Sequence, residues 1–95
     1  MKTKSDVEGM SPNQLISWFM IGSYAYYRLG DRVMEDPDFD YLVNRIKEHW
    51  AEIDHPHKEL ITESHLEAAT AYDINFPTIV KHAAWQYLKD FRESR

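Results

Sequence analysis

The sequence predicts an all-α fold: one small domain of about four helices, with the first two forming an antiparallel pair. Three observations carry that expectation. Apolar residues recur at helical spacing, most clearly at Phe39, Leu42, Val43, Ile46, Trp50 and Ile53. Helix-starting chemistry precedes the periodic segments, as Ser11-Pro12, Asp36-Pro37 and Pro77. Only Val33 and Met34 hint at extended structure, and two residues are too few for a strand.

The elements follow in order. Residues 1–10 are polar and read as a flexible arm. The first helix is expected from Ser11, which can cap, with Pro12 in the first turn and Gln14 completing a capping box. Leu15, Ile16, Phe19, Met20 and Ser23 hold helical spacing, Tyr26 and Tyr27 lie a turn further on, and Gly30 is a natural stop. Residues 31–35 form a connecting loop. Asp36 is expected to cap the second helix, which ends near Asp54-His55-Pro56 because proline restricts the residue before it. A short helix is expected over 62–73, with Ser64 and Glu67 as another box. The last begins near Pro77 and carries Val80, Ala84, Tyr87, Leu88 and Phe91 on one face, with Trp85 at its side. Leu15, Phe19, Leu42, Val43, Ile46, Trp50, Val80, Leu88 and Phe91 are the expected core.

Composition narrows the function. A chain of 95 residues with 43% hydrophobic and 14% aromatic content can build a core. It has no cysteine, so disulfides and thiolate metal sites are excluded and a reducing, cytoplasmic setting is expected. The apolar run over residues 16–27 is too short to span a bilayer, so no membrane association is expected. A net charge of −5 disfavours direct nucleic-acid binding.

The stretch from Ser23 to Leu42 combines tyrosines with a run of acids at Asp31, Glu35, Asp36, Asp38 and Asp40. Calcium is a poor match: an EF-hand loop beginning at Asp36 needs glycine and glutamate where Tyr41 and Lys47 stand. His49, His55, His57 and His65 lack a metal-ligand spacing, so no metal is expected. No nucleophile motif, glycine-rich dinucleotide loop or P-loop occurs. A flat, positively charged ligand fits better. Aromatic faces attract cations by about 0.5–2 kcal/mol. Asp36 and Asp40 share a helical face four residues apart, Phe39 lies beside them, and Tyr26 and Tyr27 end the preceding helix. First-turn aspartates also serve capping and the helix dipole, and tyrosines on such a helix also serve the core.

Read as Y-Y-x(8)-D-x-x-F-D-x-L, residues Tyr26, Tyr27, Asp36, Phe39, Asp40 and Leu42 resemble the N-terminal Ia domain of bacterial NAD-dependent DNA ligases, whose pattern is close to Y-H-x(8)-D-x-x-Y-D-x-L. Residues 54–62, DHPHKELIT, resemble the family's H-P-E-L-x-T segment with two extra residues before the glutamate. The resemblance covers residues 11–62 and implies a small helical lid that holds the nicotinamide mononucleotide (NMN) half of NAD. It makes Tyr26, Tyr27, Asp36, Phe39 and Asp40 the ligand-facing residues. Tyr27 stands where the family has histidine and Phe39 where it has tyrosine. The adenylating Lys-x-Asp-Gly is absent, so a non-enzymatic, stand-alone relative is expected, with residues 63–95 as extra C-terminal helices. The alternative is a protein-interaction or regulatory module, of phage or mobile-element type, that keeps the fold without the ligand.

Overall fold

The computed structural model describes residues 1–67 and 74–93. Among them are five α-helices and no strand: α1 (Lys4–Glu8), α2 (Pro12–Arg28), α3 (Asp36–Glu48), α4 (Glu63–Glu67) and α5 (Thr78–Glu93). Two 3-10 turns, Trp50–Glu52 and Lys58–Leu60, link α3 to α4. None of the helices is long and apolar enough to cross a membrane.

Helix α2 is the axis of the molecule and packs against both α3 and α5, while α1 packs on α3. Its start is the expected one. Ser11 Oγ accepts from Gln14 N–H, Gln14 Oε1 accepts from Ser11 N–H at 2.8 Å, and Pro12 sits in the first turn. Leu15, Ile16, Phe19, Met20 and Ala25 are buried from this one helix. Leu42, Val43 and Ile46 of α3 and Val80, Ala84 and Leu88 of α5 complete the same cluster. The helix ends at Leu29, and Gly30 takes a left-handed φ of 65°. That conformation lets Asp31 N–H return to the carbonyl of Ala25 at 3.0 Å.

Several expectations change. The segment over residues 1–10 is no loose arm: Thr3 and Asp6 form a capping box, and α1 drives Val7 to 0% exposure. Lys2 N–H donates to Val33 O at 2.8 Å, and Lys4 N–H to Asp38 Oδ1 at 3.2 Å, which pins the segment to the α2–α3 connection. Glu35, not Asp36, holds the capping position of α3, and it caps without a side-chain bond. Trp50 and Phe91 are only half-buried: Trp50 falls in the 3-10 turn beyond the end of α3, and Phe91 lies in the last turn of α5. The box at α4 is Thr62 with His65, not Ser64 with Glu67: His65 Nδ1 accepts from Thr62 N–H at 3.0 Å and Thr62 Oγ1 accepts from His65 N–H. The expected helix over 62–73 is seen as α4, and its second half lies outside the described residues. Val33 and Met34 form no strand; they are buried connection residues.

Candidate functional site

The last turns of α2, the connection over residues 29–35 and the first turns of α3 enclose a cavity of about 330 Å³. All of Tyr26, Tyr27, Asp36, Phe39 and Asp40 line it. The residues singled out by spacing are therefore brought together, and each has a distinct place.

Phe39 is the wedge between the cavity and the core. Its ring stacks on Phe19 with centroids 5.7 Å apart and planes 22° from parallel. It also rests on Gly22: a methyl group built there would come within 2.7 Å of Phe39 Cε1. Gly22 is thus a packing requirement of the cavity wall. Tyr26 and Tyr27 meet edge to face at 4.8 Å, and with exposures of 48% and 46% both present ring surface to solvent. These tyrosines are wall residues, not core.

The two aspartates share a helical face, as their spacing dictates. Asp36 is 3.9 Å from Arg32 Nη1. Asp40 is exposed and has no ion pair among the described residues. Asp38 has other work, since its carboxylate accepts from Lys4 N–H. The alternate aspartates thus serve different partners and do not converge.

Gly22, Ser23, Arg32, Val33 and Met34 also line the cavity, and the sequence singled out none of them as site residues. Ser23 lines the cavity at 2% exposure, and its Oγ has no hydrogen-bond partner among the described residues. Its position on the buried face was legible; its unmet bonding capacity was not. Arg32 also lines the cavity, with its guanidinium carbon 5.8 Å from the Tyr26 ring centroid. Nothing in the residue pattern shows where a connection arginine will lie. The arrangement can hold a flat cation, since its lining combines the ring surface of Tyr26 and Tyr27 with the carboxylates of Asp36 and Asp40.

The histidines lie elsewhere. His57 N–H donates to His55 Nδ1 at 3.0 Å, so the neutral ring carries its proton on Nε2, which faces Ser17 Oγ at 2.9 Å. His55 therefore donates to Ser17 and does not act as its base. Burial, with His57 adding to it, pulls the His55 pKa below its ordinary value. His49 Nδ1 meets Glu52 Oε2 at 2.8 Å.

A second hollow of about 420 Å³ lies between Leu29 and the end of α5, lined by Trp85, Leu88 and Lys89. Trp85 is 55% exposed, with Lys89 Nζ 5.1 Å from its ring. No protein-family model, curated protein or solved structure matches the chain.

Proposed function

We propose that this chain is a ligase-Ia-like binding module that holds the nicotinamide mononucleotide end of NAD, or NMN itself, and has no ligase activity of its own. One observation supports the reading most. Residues chosen from the sequence by type, spacing and the ligase resemblance, Tyr26, Tyr27, Asp36, Phe39 and Asp40, line one cavity. Its volume of about 330 Å³ falls at the small end of ligand sites, which run from about 300 to 1,000 Å³. A pyridinium ring meets aromatic surface and net negative charge there, since two carboxylates face one guanidinium. A cytoplasmic setting follows, a reducing compartment suiting a chain without cysteine.

The test is calorimetry with NAD⁺, NMN and NADH. The reduced ring is neutral and puckered, so it forfeits the cation–aromatic attraction, and NAD⁺ should bind about tenfold more tightly than NADH. Asp36→Asn and Asp40→Asn should each erase much of that gap without loss of helix content. Equal binding of the two redox forms would remove the charge argument. In mass spectrometry, no covalent AMP adduct is expected after incubation with NAD⁺ and nicked DNA.

The second reading is an interaction or regulatory module, phage- or mobile-element-encoded, without the ligand. It is favoured by Trp85, a large ring left 55% exposed beside Leu29. Failure of every nicotinamide compound to bind at millimolar concentration would make it the better account.

A further inference from the structure

The cavity already holds a flat cation against its aromatic wall, and that cation is the chain's own. The Arg32 guanidinium carbon lies 5.8 Å from the Tyr26 centroid, inside the roughly 6 Å reach of cation–aromatic attraction. The same group is 3.9 Å from Asp36 Oδ1 and 3.7 Å from Glu35 Oε2. A guanidinium is planar, delocalised and permanently charged. It shares with a pyridinium both properties for which rings and carboxylates select. We infer that Arg32 determines specificity: it is an internal stand-in that a cationic ring must displace, and once displaced it meets an anionic group on the same ligand. This rests on the nicotinamide reading above.

The contacts are of a strength that allows displacement. Both ion pairs are long, and the side chains of Arg32, Glu35 and Asp36 are 43%, 60% and 77% exposed. Exposed pairs of this kind contribute little. Asp40, which carries no ion pair among the described residues, stays available to the incoming ring. A ligand whose ring takes the Tyr26 face but carries no anion leaves Arg32 with nothing in exchange. A ligand that also carries a phosphate gives the guanidinium a charge-assisted partner. Arg32 therefore sets the preference for a phosphorylated over an unphosphorylated pyridinium nucleoside.

The experiment compares wild type, Arg32→Gln and Arg28→Gln by calorimetry with NMN and nicotinamide riboside, which differ only by the phosphate. Arg28 is a charge control, because its guanidinium lies 5.6 Å from the Phe76 ring and does not line the cavity. Wild type should prefer NMN by about tenfold, the order of one charge-assisted contact. Arg32→Gln should bind the riboside about five- to tenfold more tightly than wild type and lose the preference. Arg28→Gln should keep the wild-type ratio. An equal gain in Arg28→Gln would reduce the effect to net charge and overturn the inference. An unchanged ratio in Arg32→Gln would overturn it while leaving nicotinamide binding intact. Failure of Arg32→Gln alone to bind either compound, with its helix content intact, would overturn the inference, and failure of wild type to bind either would overturn the nicotinamide reading with it.

Discussion

The two ends of α2 are built on opposite terms. At its start, polar groups close on one another. Asn13 Nδ2 donates to Asp54 O at 3.1 Å and its Oδ1 accepts from Asp54 N–H at 2.9 Å. Ser17, His55 and the His57 backbone form a chain of bonds, and Lys58 Nζ caps the carbonyls of Trp50 and Ile53 at 2.7 and 3.2 Å. At its other end a hydroxyl is buried without a partner among the described residues, a carboxylate lacks an ion pair, and tyrosines stand half in water. A small domain cannot leave many such groups unmet, because an unsatisfied buried polar atom costs about 1–3 kcal/mol. Ser23 Oγ is one of three such atoms among the described residues, with Arg45 Nε and His49 Nε2 near the end of α3, and it is the one whose residue lines the first cavity. The start of α2 is closed by its own polar groups, and its other end opens on the first cavity.

The contrast between the ends can be tested from the core outward. Leu42 and Ile46, fully buried between the helices, support both ends. Leu42→Ala or Ile46→Ala should destabilise by about 2–5 kcal/mol, read from urea unfolding midpoints, a large share of a small domain's stability. A loss well below 1 kcal/mol would mean the stripe is not the core.

Gly22→Ala attacks the open end alone. Overpacking against Phe39 should cost about 1–3 kcal/mol, against about 1 kcal/mol gained from helix propensity. A net loss of about 1 kcal/mol is expected, with shifted Phe39 ring resonances in NMR. Net stabilisation with unmoved resonances would show that the wall has slack.

Asn13→Ala attacks the closed end. Losing reciprocal bonds worth about 0.5–1.5 kcal/mol each should lower stability by about 1–2 kcal/mol while NMN affinity stays unchanged. A change in affinity would show that the ends are coupled.

The smallest effect is the pH dependence of the closed end. Because the folded His55 pKa is depressed, the unfolded chain takes up the proton first. Its stabilising contribution is complete above the unfolded value of about 6.5 and is lost as pH falls below it. The proton would arrive on Nδ1, against the His57 N–H. Unfolding midpoints at pH 7.5 and 5.5 should fall less for His55→Gln than for wild type; parallel falls would assign the proton elsewhere.

The long helices were legible because periodicity is a many-residue signal: α2, α3 and α5 each repeat apolar residues over several turns. Helix α1 offers one apolar residue, Val7, and one residue has no period, although Thr3 and Asp6 carried its capping box in plain sight. The cavity was legible through Tyr26, Tyr27, Asp36, Phe39 and Asp40 because fixed spacing on adjoining helices fixes which faces meet. Gly22, Ser23 and Arg32 were not. Their roles depend on a 2.7 Å approach, an unmet hydroxyl and the path of a connection, which sequence spacing does not encode.

The placement of indole rings divides the molecule optically. The chain has three tryptophans. Trp18 meets Tyr87 edge to face at 5.2 Å, Trp50 lies under Lys58, and Trp85 lines the second hollow. The first cavity is walled by tyrosine instead. Emission excited at the red edge of the spectrum, where tyrosine is dark, thus has no source in the wall of the first cavity and one, Trp85, in the wall of the second. A tryptophan signal that stays constant on adding NMN is compatible with a filled first cavity, while a quench points to the Trp85 face. The chain carries a native reporter that tells its two hollows apart without a label.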